Sequence, residues 1–121
     1  MRLLLDTHIA VWAISDDPRL TRRARALIED QENAIWVSAV SVWEIAIKHA
    51  VSPRDMTLSG RQALECFQGA GYDLLPITPS HAAALDGLKP HHADPFDRLL
   101  VTQAVEESLR LITADRVVAG W

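Results

Sequence analysis

The chain has 121 residues, 49% of them apolar, and its 12 Lys and Arg stand against 16 Asp and Glu, a formal net charge of −4. These values are typical of one globular domain and exclude a disordered or fibrous chain. The apolar runs are too short to span a bilayer and the N-terminus lacks a secretory-signal pattern, so we expect a cytoplasmic protein. The single cysteine, Cys66, excludes an internal disulfide and a cysteine-based zinc site.

The first half of the chain predicts strands alternating with helices. Short apolar runs predict two buried strands, over residues 2–5 and 34–37. Apolar residues at helical spacing predict three helices: residues 8–15, residues 21–31, and a third that begins after Ser38 or Ser41 and ends at residues 52–53. Asp6 directly follows the first predicted strand.

The second half continues this alternation. Two strands are predicted over residues 73–77 and 109–113, and three helices over residues 59–69, 79–88 and 94–108. The last helix has the most explicit start, with Asp94 at the cap, Pro95 at the first helical position and Asp97 at the third. The pattern predicts a single three-layer α/β domain over residues 1–121, with a central, mostly parallel sheet of four to five strands and helices on both faces.

Four acidic residues fall where predicted strands end or helices begin: Asp6, Glu44, Asp97 and Asp115. Ligands of parallel sheets bind outside the carboxyl ends of the strands. Four carboxylates at that edge would repel one another unless a cation joined them, and oxygen ligands suit Mg²⁺ or Mn²⁺. We therefore predict a metal site suited to phosphodiester hydrolysis by a metal-activated water.

Each carboxylate also has a structural interpretation. Glu44 stands three residues after Ser41, a capping-box spacing, and four before Lys48, the spacing of a helical ion pair. The acids that open the last helix favour its positive end, and we interpret Asp94 as mainly structural. Asp6 has no helical partner in sight, so it is the strongest candidate for a functional role.

Four segments of the sequence together resemble one family: LLLDTHIAVW, VSAVSVWEIAIK, HHADPFDRLLVTQA and LRLITAD. In this order they are similar to the PIN-domain ribonucleases, specifically the VapC-type toxins of bacterial toxin–antitoxin pairs. The resemblance implies a PIN-like fold and a Mg²⁺- or Mn²⁺-dependent endoribonuclease that cuts RNA. It also implies a small antitoxin protein as partner, whose C-terminal segment blocks the acidic site, and a homodimer.

The resemblance assigns site residues one by one. Its catalytic and metal-binding positions fall on Asp6, Glu44, Asp97 and Asp115, and its accessory positions fall on Asp94, Thr7 and Thr113. The candidates for an RNA path are Arg19, Arg22, Arg23, Arg25 and Arg98. With a metal in the acidic pocket, the mildly negative net charge no longer opposes RNA binding.

Two other classes of function stay open at this point. One is a binding module that keeps the PIN fold without catalysis. The other, less favoured, is a receiver-like signalling domain, which needs paired acids after the first strand and an Asp after the third. Here Asp6 stands alone, and Pro76 and Thr78 follow the third predicted strand.

Tryptophans are candidates for an exposed apolar surface that binds a partner: Trp12, Trp36, Trp43 and Trp121. Large aromatic side chains are usually well buried in a domain of this size. We therefore expect core packing for the first three of these residues, and the partner surface remains open.

Overall fold

The computed structural model describes residues 1–87, 94–113 and 117–118. Its elements in chain order are β1 (Arg2–Leu5), α1 (Thr7–Ile14), α2 (Arg22–Glu29), β2 (Ala34–Ser38), α3 (Ala39–Val51), α4 (Gly60–Gly69), β3 (Asp73–Leu75), α5 (Pro79–Ala84) with a 3₁₀ turn (Leu85–Gly87), α6 (Pro95–Glu106), β4 (Arg110–Ile112) and β5 (Val117–Val118). The predicted alternation of strands and helices is confirmed. No helix in these ranges has the length and apolarity needed to cross a membrane.

The five strands form one sheet in the order β3-β2-β1-β4-β5, with β1 at the centre. Strand β1 pairs in parallel with β2 and β4, and β3 pairs in parallel with β2. The short strand β5 is antiparallel to β4. The predicted mostly parallel sheet is thus confirmed. Because β2 and β4 lie on opposite sides of β1, the strand order reverses at β1, where ligands of open sheets bind.

Alternate residues of β1 pack into two apolar layers. Leu3 and Leu5 belong to a cluster with side chains of α1 to α4, whereas Leu4 belongs to a second cluster dominated by α6. Successive side chains of a strand point to opposite faces, so helices cover both faces of the sheet. Trp12 packs partly buried against the first cluster and Trp36 against the second, as expected.

Some predicted boundaries shift for local reasons. Strand β3 ends at Leu75, because Pro76 has no N–H to donate to a neighbouring strand. Helix α3 begins after Ser38, whose hydroxyl accepts from the N–H of Val40, so Ser41 lies inside the helix and does not cap it. The helix predicted over residues 79–88 continues as a 3₁₀ turn after Ala84, and residue 88 lies outside the described residues.

The core packing expected for Trp43 is wrong. Its side chain is 51% exposed and meets the Phe96 ring edge-on, with ring centroids 4.9 Å apart. Ile47 and Val51, which are 40% and 80% exposed, follow at intervals of four residues on the same face of α3. We call Trp43, Ile47 and Val51 the apolar stripe. Trp121 lies outside the described residues.

Candidate metal centre

Asp6 lies at the carboxyl end of β1 and caps α1. Its backbone N–H donates to the carbonyl of Ile112 at the end of β4, at 3.0 Å. Its Oδ1 accepts from the N–H of Ile9, at 2.9 Å. The neighbouring strand and the helix that it caps therefore both orient this half-buried side chain.

Glu44 is a buried carboxylate on α3, only 2% exposed. Its Oε1 lies 2.7 Å from the hydroxyl of Thr7, and its Oε2 lies 2.5 Å from Nζ of Lys48. The Thr7 hydroxyl is also 3.0 Å from Oγ of Ser41. Because a hydroxyl has one proton, Thr7 donates to Glu44 and accepts from Ser41. The predicted ion pair with Lys48 is confirmed, whereas the capping-box interpretation of Glu44 is wrong, since Ser38 caps the helix.

The first turn of α6 carries the two acids predicted there. Oδ1 of Asp94 caps the helix by accepting from the N–H of Phe96, at 2.8 Å. Pro95 follows at the first position, and Asp97 lies in the first turn with an exposed side chain. The positive end of the helix favours a carboxylate at both places. Asp94 thus has the structural role predicted for it, and Asp97 is accessible from solvent.

Two other carboxylates interact electrostatically with Asp6 at the carboxyl end of β1. Burial raises the pKa of Asp6 above its ordinary value, and the negative charges of Asp97 and Glu44 raise it further. The N–H of Ile9 and the His8 side chain act in the opposite direction and lower this pKa. Three separate elements therefore bring carboxylates close enough to repel one another, and a cation among them would relieve that repulsion.

These acids are not already arranged as a metal-binding cluster. Among the residues that the structure describes, no group of three His, Cys, Asp or Glu side chains could hold a metal ion as it stands. Both oxygens of Glu44 already accept a hydrogen bond, one from Thr7 and one from Lys48. Asp115 lies outside the described residues. The donors themselves are carboxylate oxygens, and the charges of Asp97 and Glu44 raise the pKa of Asp6, which fits Mg²⁺ or Mn²⁺.

A family model for the PIN domain matches residues 3–119 of the chain. The chain belongs to the PIN-domain family. Ribonuclease VapC22 from Mycobacterium tuberculosis is 34% identical to this PIN-domain chain over 119 residues, which cover 94% of the chain and 87% of that protein. The family predicted from the four sequence segments is confirmed, and the receiver-like alternative loses its support.

Two solved structures share the fold of this PIN-domain protein. A chain in the crystal structure of VapBC2 from Rickettsia felis, bound to a DNA fragment from its promoter, has a TM-score of 0.67 and 20% identity, with 93% of this chain and 87% of that chain covered. A chain in a toxin–antitoxin complex from Klebsiella pneumoniae has a TM-score of 0.57 and 20% identity, with coverages of 92% and 84%. The PIN-like fold predicted from the sequence is confirmed.

Two of the five candidate RNA-binding arginines of this PIN-domain protein are engaged in ion pairs. Arg19 contacts Asp17 at 2.8 Å, and this hydrogen bond lowers the pKa of Asp17 to about 2. Arg25 contacts Asp16 at 2.8 Å. In each pair one side chain is largely exposed, Arg19 at 69% and Asp16 at 86%, so the two pairs contribute little to stability.

The other three candidates differ in exposure. Arg22 and Arg23 are exposed on α2. Arg98 is half-buried next to Asp97, and its Nε is buried without a hydrogen bond to the described part of the chain. Thr113, the second predicted accessory hydroxyl, directly follows β4 and is half-buried.

A cleft of about 930 Å³ opens between α1, α3 and residues 55–58. Its walls are mainly apolar and include Val11, Trp12 and two residues of the apolar stripe, Ile47 and Val51. Lys48, the ion-pair partner of Glu44, also lines the cleft. The cleft therefore adjoins the candidate metal centre through Lys48.

The sequence analysis missed two polar residues in the core behind this site. Gln103 is fully buried and His81 is 1% exposed. For Gln103 a signal was present, since it lies three and four residues after Leu100 and Leu99 on the buried face of α6. A polar residue at a core position marks a hydrogen-bonded network.

Proposed function

We propose that this PIN-domain protein is the toxin of a toxin–antitoxin pair and acts as a metal-dependent endoribonuclease. The observation that carries the proposal is the meeting of Asp6, Glu44 and Asp97 at the carboxyl end of the central strand, where each of the other two charges raises the pKa of Asp6. Similarity over nearly the whole chain to a protein named Ribonuclease VapC22 supports RNA as the substrate.

The residues that would hold Mg²⁺ or Mn²⁺ are Asp6, Asp97 and Glu44, with Asp115 as the further predicted ligand. When bound, such an ion lowers the pKa of a water ligand and stabilises negative charge on the phosphodiester. Asp97 is exposed and Asp6 half-buried, so both carboxylates are open to a hydrated ion. Glu44 must exchange its contact with Lys48 to join them.

The chain's own residues orient this site before any ligand arrives. The bond from the N–H of Ile9 holds one oxygen of Asp6. Thr7 directs one oxygen of Glu44, and Lys48 neutralises its charge while the site holds no cation. Lys48 has a 42% exposed side chain at the rim of the cleft, from which its ammonium group can reach an RNA phosphate.

The proposed path for RNA runs over the exposed arginines of α2 and past the start of α6. Arg22 and Arg23 are exposed, and Arg98 is the residue directly after Asp97 in the sequence. Arg19 and Arg25 join this path when phosphates replace their carboxylate partners. Phosphate contacts of this kind position RNA without selecting its sequence.

The proposed protein partner is a small antitoxin whose C-terminal segment lies in the cleft. The apolar walls of the cleft suit an amphipathic segment, and Lys48 and Arg19 at its rim suit acidic groups on that segment. Of the two similar structures above, one is VapBC2 from Rickettsia felis and the other is a toxin–antitoxin complex from Klebsiella pneumoniae. A homodimer remains a proposal from the family, as does a cytoplasmic location.

The decisive experiment compares Asp97→Asn with Asp73→Asn. Asp73 is an exposed carboxylate at the start of the edge strand β3, two strands away from β1, so it is a matched control. With total RNA and Mg²⁺ or Mn²⁺, we expect cleavage by the wild type and by Asp73→Asn, and none by Asp97→Asn or in excess EDTA. Cleavage by Asp97→Asn, or cleavage in EDTA, would contradict the proposal.

Calorimetry with Mn²⁺ separates the enzyme from the non-catalytic binding module. We expect the wild type to bind Mn²⁺ and Asp97→Asn to bind it at least about tenfold more weakly, since a ligand is lost. A wild type that binds no Mn²⁺ at millimolar concentration and cleaves no RNA would favour the binding module.

A further inference from the structure

A chain of buried polar groups crosses the core behind the candidate metal centre. Its members Ser38 and Gln103 are fully buried, and His81 is 1% exposed. The hydroxyl of Ser38 donates to Oε1 of Gln103. Nε2 of Gln103 donates to the carbonyl of Pro76 and to Nδ1 of His81, each at 3.2 Å. We call Ser38, Gln103 and His81 the polar chain.

The direction of every hydrogen bond in the polar chain is determined. The N–H of Thr78 lies 3.1 Å from Nδ1 of His81 and can only donate, so Nδ1 carries no proton. The proton of this imidazole is then on Nε2, which donates to Oε2 of Glu107 at 2.8 Å. Nδ1 is therefore an acceptor for the amide of Gln103, whose oxygen faces Ser38.

The other end of the polar chain is equally fixed. The N–H of Val40 donates to Oγ of Ser38 at 2.9 Å, so the hydroxyl proton of Ser38 is free to point at Gln103. The Ser38 hydroxyl and the Gln103 amide each have matching partners, and Nδ1 of His81 shares its single lone pair between the N–H of Thr78 and the amide of Gln103. Buried networks satisfied in this way hold their elements in one arrangement, whereas apolar side chains can slide.

The polar chain joins the two helices that carry site acids. Ser38 caps α3, six residues before Glu44, and Gln103 lies on α6, six residues after Asp97. Six residues of helix span about 9 Å. A shift of either helix along its axis would move one carboxylate relative to the other, and the Ser38–Gln103 bond opposes that shift.

An apolar residue at position 103 would fill the same space. Gln103 lies among Leu99, Leu100 and Ala104 on the buried face of α6, where methionine has a similar volume. Methionine at position 103 together with alanine at position 38 would leave neither partner of the Ser38–Gln103 bond unsatisfied, so core packing alone does not require an amide here. The amide adds a directional contact between helices that apolar packing does not provide.

We propose that Gln103 is a positioning residue that sets the placement of α3 against α6, and through it the separation of Glu44 from Asp97. This inference rests on the proposed function of those two acids. It predicts that loss of the amide reduces metal affinity and kcat while the chain still folds. The KM for RNA should change less than kcat, because four of the five arginines of the proposed RNA path, Arg19, Arg22, Arg23 and Arg25, lie on neither of the two helices that the polar chain joins.

Gln103→Met tests the proposal, with Thr102→Val as its matched control. Thr102 is the preceding buried residue on α6, and within the described residues its hydroxyl bonds only the carbonyl of Arg98 in the same helix. For Gln103→Met we expect a cooperative thermal transition, with Mn²⁺ affinity and kcat each reduced about tenfold or more. Thr102→Val should stay within about twofold of the wild type in both.

A second readout needs neither metal nor RNA. The Trp43 indole of α3 meets the Phe96 ring of α6 edge-on, so its NMR signal carries a ring-current shift that reports the contact between the two helices. Trp43→Phe assigns the signal, and Phe96→Leu gives its position without the ring. We expect Gln103→Met to move the signal toward the Phe96→Leu position and Thr102→Val to leave it in place.

Ser38→Ala provides a variant at the other end of the polar chain if Gln103→Met does not fold. The double variant Ser38→Ala with Gln103→Met should then reduce Mn²⁺ affinity by less than the sum of the two single reductions in binding free energy, since both substitutions remove the same Ser38–Gln103 bond.

An unchanged indole signal and Mn²⁺ affinity in both single variants would overturn the proposal. Equal losses in Thr102→Val would overturn it as well. A wild type without Mn²⁺ binding or RNA cleavage would refute the proposed function, while the indole signal would still decide whether the polar chain sets the helix contact.

Discussion

The hydroxyl of Thr7 lies 2.7 Å from Oε1 of Glu44 and joins the first residue of α1 to the buried carboxylate of α3. Thr7 directly follows Asp6, so one short stretch of chain supplies both a candidate metal ligand and the donor that orients another. A carboxylate that is 2% exposed needs such donors, because burial of an unpaired charge is costly. The accessory threonine thus gives one oxygen of the buried Glu44 carboxylate its hydrogen-bond donor.

Thr7→Val should destabilise the metal-free protein by about 1–3 kcal/mol, because it leaves one oxygen of the buried Glu44 without a donor. Urea unfolding in EDTA measures this change. Thr7→Ser keeps the hydroxyl and is the control, for which we expect most of the stability to return. If valine and serine variants unfold at the same urea concentration, the Thr7–Glu44 bond does not contribute to stability.

Asp6→Asn should abolish RNA cleavage and yet raise the Tm of the metal-free protein. An asparagine oxygen can still accept from the N–H of Ile9, so the cap of α1 is kept. The substitution removes a half-buried charge that Asp97 and Glu44 repel. Thermal unfolding in EDTA checks the Tm, and a labelled RNA checks cleavage. A lower Tm than that of the wild type would contradict the electrostatic argument.

The sequence predicted most of the fold because its local signals agree. The apolar run before Asp6 has the bounds of β1, and the Asp94-Pro95 pair marks the start of α6. Helix α3 was less certain, since Ser38 and Ser41 both suit a cap. The choice depends on tertiary contacts: Ser38 also donates to Gln103, and Ser41 faces Thr7 in the core.

The candidate site was predicted less completely than the fold. Asp6 and Asp97 follow from their places at the end of a strand and the start of a helix. The contact of Glu44 with Lys48 follows from helical spacing. The contact of Glu44 with Thr7 joins distant segments of the chain, so no local pattern predicts it. The exposure of Trp43 was not predictable either, because periodicity does not say which helix face stays uncovered.

The stability of the metal-free protein should depend on pH through Asp6. Its pKa is raised by burial above the 3.8 of the unfolded chain. Below pH 3.8 the Asp6 carboxyl is protonated in both the folded and the unfolded chain, and its contribution to stability is fully present. That contribution is lost as the pH rises through the raised pKa of the folded state. Urea unfolding of wild type and Asp6→Asn in EDTA, from about pH 4 to 7, isolates this effect. We expect the advantage of Asp6→Asn to grow with pH across that window, and an advantage that is constant with pH would contradict the shift.

Ile47→Glu should prevent binding of the antitoxin without unfolding the chain or abolishing RNA cleavage. Ile47 is 40% exposed, lines the cleft and belongs to the apolar stripe, so a charge there is solvated in the free protein and desolvated under an apolar partner segment.

Val105→Glu is the control, since Val105 is similarly exposed at 45% on α6 and does not line the cleft. Co-purification with a co-expressed cognate antitoxin measures binding. We expect the partner to be retained by the wild type and by Val105→Glu and lost from Ile47→Glu, with an unchanged Tm. Retention by Ile47→Glu would place the antitoxin on another surface, and loss from both variants would mean that added charge rather than the cleft governs the association.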